Sequence, residues 1–344
     1  MGLGRTRRWA ASLGLICVLV AVTGSTSRAH DPPGSRMSPG ARAYLSKALS
    51  IMEKRALVRH QIDWTSVRTK AYSQAHGAQK PKDTHGAIIS ALQALGDGHS
   101  TFWQPEQVKE ELGPSRASLD GLRGRSLKGG VGYVALPRVQ GSQESYDQYV
   151  RQGRAAVAEA DRAGACGWVV DLRANSGGNM WPMLAVVGTL LGEGKVGMFR
   201  GADGRTSVWS IKHGAPYQDG EAAGWGDGRA RAGGAPPVAV LTGNRTASAG
   251  EAIVVAFRGR PDTRFFGEPT GGVPTGNKAH RLSDGAMLIL TEVESADRTG
   301  RTYNAAIPPD EEISVDPRPV GGRGDGALEA ARGWLLRQAA CLRS

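Results

Sequence analysis

Twice in this chain an apolar run ends in a turn of small and polar residues and passes at once into a helix-patterned stretch. The first unit is Trp168 to Leu172, a turn through Gly177-Gly178, and the stretch Met183 to Leu191. The second is Val238 to Leu241, the turn Thr246-Ala247-Ser248, and the stretch Ala249 to Arg258. Short runs without a polar alternation read as strands covered on both faces, and strand–helix–strand order in one sheet gives parallel pairing. Tyr146 to Ala163 reads as the crossover helix between strands at Val131 and Trp168. Phe265-Phe266-Gly267 reads as a further short strand, and Asn277 to Leu282 with Met287 to Val293 as a hairpin. Residues 41–102 read as helices at Ala41 to Val58, Trp64 to Ala75 and Thr84 to Leu95, and a last helix runs from Ala327 to Cys341. The expected fold class is α/β, a mainly parallel sheet core with an N-terminal helical domain. The Gly-rich, polar stretch from Gly201 to Gly234 reads as a long loop near the cleft.

Ser248 stands where a strand turns into a helix, beside backbone N–H groups that have no intrahelical partner, so negative charge developing there is stabilised. The commonest job of a serine at such a place is to cap the helix, and alone the heptapeptide Thr246 to Ala252 favours that job. Two other segments change the balance. Asp171-Leu172-Arg173-Ala174-Asn175-Ser176-Gly177-Gly178 puts consecutive glycines after a strand, where backbone N–H groups can turn toward an anion. Leu95-Gly96-Asp97-Gly98-His99-Ser100 ends a helix whose apolar positions Ile88, Ile89, Leu92 and Leu95 share one face, and it presents His99 in an exposed turn. The remaining histidines read as surface residues.

In this order the three segments resemble the C-terminal processing (tail-specific) family of serine peptidases. Val131 to Pro137, Gly267-Glu268-Pro269-Thr270-Gly271-Gly272, Asp297 to Tyr303 and Ile307 to Asp310 add to the likeness. It extends from about Ala41 onward and is specific between Val131 and Asp310. The resemblance implies a ClpP/crotonase-like core, Ser248 as nucleophile, and an oxyanion site made by the N–H of Gly177 or Gly178 with that of Ala249. The best-known members carry a lysine base where this chain has Val273, the next lysine being Lys278. The other branch uses an upstream histidine, which His99 matches. The PDZ-less branch of the nisin-resistance type is the most similar one. It shares Pro182-Met183 after the Gly-Gly turn and, loosely, Ser248-Ala249-Gly250-Glu251. About seventy residues separate His99 from Asp171, too few for a PDZ domain and its connecting strand. Some relatives orient the histidine with a carboxylate where this chain has Tyr303 to Ile307. Asp97, Glu251 and Glu292 stand as alternatives for that role, with Arg173 as a supporting residue.

The first residues carry Arg5, Arg7 and Arg8, then an apolar stretch from Trp9 to Val22, then Gly24 to Ala29. That is the layout of a signal peptide, 1–29, with an uncleaved membrane anchor as the alternative. The expected location is exported: extracellular, periplasmic, or anchored on the outer side of the cytoplasmic membrane. Residues 30–102 then form the helical domain carrying the base, 103–127 a linker or cap, and 128–344 the peptidase core. The formal charge of +11 falls to +7 without the first 29 residues, which hold four arginines and no acid. Clusters at Arg123/Arg125 and Arg229/Arg231 read first as solvated faces and second as attraction to an anionic envelope surface. Nothing resembles a nucleic-acid module. Beyond the leader, Cys166 and Cys341 either pair or leave Cys166 as a small buried hydrophobe. Neither has metal-ligand spacing, and no metal or cofactor is expected.

The expected function is a serine endopeptidase that cleaves peptides or protein tails through a Ser–His pair. A catalytically inactive envelope peptide-binding protein on the same scaffold is the alternative. A crotonase-like acyl-CoA enzyme is disfavoured by the export segment. An esterase is disfavoured because Ala247-Ser248-Ala249 lacks the Gly-x-Ser-x-Gly elbow.

Overall fold

The protein is described by a computed structural model over residues 36–113, 119, 121–226, 234–314 and 324–342. Residues 1–29, expected to be an export segment, and the Arg229/Arg231 pair lie outside the described residues. Helices α1 (Pro39–Arg55), α2 (Trp64–Gln74) and α3 (His85–Gln93) come first. They are followed by β1 (Thr101–Trp103), α4 (Pro105–Leu112), β2 (Arg123–Leu127) and β3 (Val131–Ala135). Helix α5 (Gln143–Arg162) crosses to β4 (Gly167–Asp171) and α6 (Met180–Leu191). Strands β5 (Gly194–Gly201), β6 (Thr206–Lys212), β7 (Ala215–Gln218) and β8 (Glu221–Ala222) come next. A second unit contains β9 (Val238–Thr242), α7 (Ala249–Phe257) and β10 (Thr263–Gly267). The chain closes with β11 (Thr275–Arg281), β12 (Met287–Asp297), β13 (Thr302–Tyr303), β14 (Glu311–Glu312), α8 (Gly326–Leu336) and α9 (Ala339–Leu342).

One sheet has the order β14-β10-β9-β4-β3-β2 and is parallel except for the β2–β3 pair. Every residue of its two central strands, β4 and β9, is buried. Helices α5, α6 and α7 cover one face, packing around Trp168, Leu184, Val254 and Phe257. Helix α8 covers the other, with Leu328, Ala331 and Leu335 against Val169, Leu241 and Phe266. Burial on both faces is why these strands read as unbroken apolar runs. Cys166, just before β4, is disulfide-bonded to Cys341 of α9 with Cα atoms 4.9 Å apart. Helix α9 is therefore stapled to the residue that leads into β4, and the two readings left open for Cys166 resolve to pairing.

The second sheet is antiparallel, in the order β1-β12-β5-β6-β7-β8, with β11 and β13 also on β12. It corrects the expected loop from Gly201 to Gly234, whose described part holds β6, β7 and β8. Trp209 and Ile211 alternate inward along β6 and are fully buried, while Gly204, Gly214 and Gly220 sit at the turns with φ of +77°, +73° and +87°. Glycine content had outweighed a two-residue periodicity there, although those glycines only supply the left-handed turns between strands. Leu45, Leu49 and Met52 of α1 and Ile88 of α3 pack against Leu282, Leu288 and Leu290 of the β11–β12 hairpin. The helices that lead to His99 and the strands that meet it thus share one core.

Candidate active site

Because β4 and β9 are parallel neighbours, the turns that leave them lie side by side at the carboxyl edge of the sheet, the usual place for a site in such sheets. Three bonds lock the turns together. The amide of Leu172 donates to Leu241 O (2.9 Å), that of Ala247 to Asn175 O (2.9 Å), and Thr246 Oγ1 to Leu172 O (2.9 Å). The approach is close enough that a Cβ at Gly250 would lie 2.6 Å from Asn175 O. Ser248 opens α7 with φ +52° and ψ −117°, a backbone conformation that costs a non-glycine residue about 1–3 kcal/mol.

Glu251 holds that conformation. Its side chain is fully buried, and Oε2 accepts from the amides of Ser248 (2.9 Å) and Val273 (2.9 Å). Oε1 accepts from Thr270 Oγ1 (2.5 Å) and the amide of Gly272 (2.9 Å). Burial pushes the Glu251 carboxyl above its ordinary range, while the four donors oppose the shift. Val273, at the position of the lysine base in the other branch, contributes its amide to this cradle.

His99 arrives from the opposite side. Asp97 Oδ1 accepts from the amides of His99 (3.0 Å) and Ser100 (2.8 Å), and its Oδ2 from Ser100 Oγ (2.6 Å), which builds an aspartate-centred turn just past α3. The turn is pinned to the hairpin by Asn277 Nδ2 donating to His99 O (3.2 Å) and Thr291 N donating to Ser100 Oγ (3.0 Å). The imidazole then bridges two hydroxyls. Its Nε2 is 2.9 Å from Ser248 Oγ and its Nδ1 is 2.7 Å from Thr275 Oγ1. Burial lowers the His99 pKa, and the Asp97 charge offsets part of that. A neutral ring with a free Nε2 is the form able to receive a proton from Ser248, and Nδ1–H then donates to Thr275 Oγ1.

The other residues singled out in the sequence take definite places. The amide of Gly177 donates to Asn175 Oδ1 (3.0 Å), so it is already engaged. A Cβ on Gly177 would lie 2.9 Å from Ser248 Cβ, and one on Gly178 would lie 2.0 Å from Val139 O, with both glycines at positive φ. Among the described residues the amides of Gly178 and Ala249 have no protein acceptor. These two N–H groups are the ones left to face an oxyanion. Arg173 is buried and bonded to both Asp171 (2.7 Å) and Asp325 (2.7 Å), with Tyr133 also donating to Asp171 (2.8 Å). It braces the turn after β4 from below. Glu251 and Asp97 hold backbone and not the imidazole. Glu292 pairs with His280 (2.5 Å) and Arg55 (3.9 Å), away from the ring. Thr275 was not singled out in the sequence, and a threonine opening a strand gives no cue to such a contact.

Residues 130–313 match peptidase family S41. The chain belongs to that family. It is a serine-type peptidase with a ClpP/crotonase-like core, of a family whose substrates are peptides or proteins. The nisin-resistance protein of Lactococcus lactis subsp. lactis is 24% identical over 274 residues, 79% of this chain and 83% of that protein. Among solved structures, a lipoprotein from Streptococcus agalactiae superposes with a TM-score of 0.70 at 23% identity, covering 87% of this chain and 96% of that one. The photosystem II D1 C-terminal processing protease gives 0.58 at 14% identity, covering 80% and 94%.

Proposed function

We propose that this S41 member is an exported endopeptidase in which Ser248 attacks the peptide carbonyl and His99 takes its proton. The observation that carries this reading is the 2.9 Å contact between His99 Nε2 and Ser248 Oγ, made by two residues 149 positions apart on separate parts of the fold. Attack by Oγ places negative charge on the carbonyl oxygen, which accepts hydrogen bonds from the amides of Gly178 and Ala249. One such donor is worth roughly 3–4 kcal/mol in the transition state. The imidazolium returns its proton to the leaving amine, leaving an acyl-serine. His99 then takes a proton from water, whose oxygen bonds to the acyl carbon, and returns that proton to Ser248 Oγ as the acyl–Oγ bond breaks, which restores the hydroxyl. Thr275 Oγ1 keeps Nδ1 protonated through both steps, so Nε2 stays the basic atom.

Export is supported by the layout of residues 1–29 and by the Cys166–Cys341 disulfide, a bond that persists in oxidising compartments. The names of the relatives, a nisin-resistance protein and a lipoprotein, point to the cell envelope as well. With no PDZ domain between His99 and Asp171, the cleft itself selects the substrate. A small peptide of the lantibiotic kind and an unstructured protein tail are the two classes in keeping with the relatives' names.

Incubation of the mature chain with unstructured peptides and lantibiotics, read by mass spectrometry, tests the reading. Cleavage is expected in the wild type and absent in Ser248→Ala and His99→Ala. Binding without cleavage of any peptide would replace it by the inactive-scaffold alternative.

A further inference from the structure

His99 is held by its backbone as well as by its ring. Its amide donates to Asp97 Oδ1 (3.0 Å), and its carbonyl accepts from Asn277 Nδ2 (3.2 Å). A closed circuit of hydrogen bonds joins these two points. Asp97 Oδ2 accepts from Ser100 Oγ (2.6 Å), and Ser100 Oγ accepts from the amide of Thr291 (3.0 Å). Thr291 Oγ1 donates to Asn277 Oδ1 (2.8 Å), which completes the ring. Thr291 is buried, and its own carbonyl accepts from the amide of Leu57 just past α1 (2.8 Å). The circuit is thereby anchored to the helical core, and Asn277 is the one side chain that carries it from the hairpin to the His99 carbonyl.

The register of the hairpin sets this up. Thr275 and Asn277 stand two residues apart on β11, so they share a face and lie about 6–7 Å from each other. Thr275 meets the ring of His99 and Asn277 its main chain. Thr291 is the cross-strand partner of Asn277, which puts its hydroxyl on the same face. The pairing jumps from Gly276↔Val293 to Asn277↔Thr291, so Glu292 is the extra residue of a bulge. A bulge bends its strand and adds twist, here between the two residues that grip His99. We propose that Asn277 is a positioning residue of the peptidase, fixing the main chain of His99 so that Nε2 stays within reach of Ser248 Oγ. The proposal rests on the Ser248–His99 reading and acts through that base. An amide is what the place requires, because it donates to a carbonyl and accepts from a hydroxyl at one branch point. Aspartate has the same shape and no donor.

The test reads kcat, KM, melting temperature and the His99 ring in one set of variants. Asn277→Ala and Asn277→Asp should each lower kcat roughly ten- to 100-fold and leave KM within about twofold, the scale of a misplacement of about 1 Å in a reacting group. Asn277→Gln keeps donor and acceptor one methylene further out and should recover part of the rate. Thr291→Val leaves Asn277 in place and removes the hydroxyl that orients its amide. It should lower kcat several-fold, and it serves if the Asn277 variants melt below the assay temperature. Lys278→Ala, next on the strand with its side chain on the opposite face, should leave kcat unchanged. Nitrogen-15 NMR of the imidazole reads the base without turnover. The wild type should hold the Nδ1–H tautomer, with a pKa below the ordinary value of about 6.5, and Asn277→Ala should mix the tautomers and move the pKa up toward it. If folded Asn277→Ala and Asn277→Asp keep kcat within twofold and the tautomer unchanged, Asn277 only braces the hairpin and the positioning role is overturned, while the peptidase reading stands. If the wild type cleaves no peptide and the tautomer still depends on Asn277, the peptidase reading falls and the positioning role stands.

Discussion

Thr275 is the most exposed point of the catalytic proposal, because its hydroxyl stands where many serine hydrolases place a carboxylate. Thr275→Val keeps the β-branched shape that suits a strand and removes only the group 2.7 Å from His99 Nδ1. The Nδ1–H is then left without an acceptor in a half-buried site, at a cost of about 1–3 kcal/mol. The ring escapes that cost by moving the proton to Nε2 or by rotating, and either response removes the base from Ser248. At 1.36 kcal/mol per decade, kcat should fall roughly five- to 150-fold, with KM little changed. Thr275→Ser, which keeps the hydroxyl, should restore most of the rate. Thr275→Asp adds a charge that favours the imidazolium, raises the His99 pKa by about 1–3 units, and moves the acid limb of kcat/KM upward. Steady-state kinetics of the three variants across pH are the assay. If Thr275→Val retains kcat within a factor of two of the wild type, Thr275 does not orient His99.

Three further outcomes follow from the same contacts. His99 is depressed by burial, so its neutral form persists below the ordinary imidazole value of about 6.5. The acid limb of kcat/KM should fall below that value, and the stability linked to neutral His99, fully present above it, should fade as pH drops through the folded pKa, which a pH-resolved melting series checks. Glu251→Gln puts an amide N–H against two of the four donors the carboxylate serves, costing about 2–5 kcal/mol. It should lower both Tm and kcat, since one of those donors is the amide of Ser248. Cys341→Ser removes a cross-link between residues 175 apart, worth about 5 kcal/mol by loop entropy. Its melting temperature should drop and cease to respond to reductant, whereas the wild type's should fall on reduction.

How much of this was legible in the sequence follows from what each contact demands of its residues. Strands β4 and β9 are covered on both faces, so their composition had to be apolar throughout, and that shows in one dimension. Gly178 and Gly250 are forced by close approach of another backbone and Gly177 by the Cβ of Ser248, which leaves a mark in residue type. Strand β6 was hidden because the glycines of its turns outnumber its two inward side chains. Thr275 was hidden more deeply. Its meeting with His99 depends on the register of β11 on β12, which shifts between Gly276 and Asn277, and no local propensity encodes a register shift. The disulfide was legible only as one of two readings, since Cys166 and Cys341 meet because α8 packs across β4, which residue type alone does not show.

The proposed use of His99 in place of a lysine has a structural consequence that reaches beyond the base itself. The backbone at Val273 is committed to Glu251, and the side chain there is apolar, so the proton acceptor must come from outside the parallel-sheet core. It comes from the turn after α3, a segment whose position is set by a different core, the one that joins α1 and α3 to Leu282, Leu288 and Leu290 of the hairpin. In that proposal Ser248 and the amides of Gly178 and Ala249 belong to one packed body, and His99 with Thr275 to another face of the fold. A cavity-forming change such as Leu49→Ala, remote from Ser248, loosens only the second core. It should depress kcat before it unfolds the parallel sheet, because a shift of about 1 Å in His99 suffices to break the contact with Ser248.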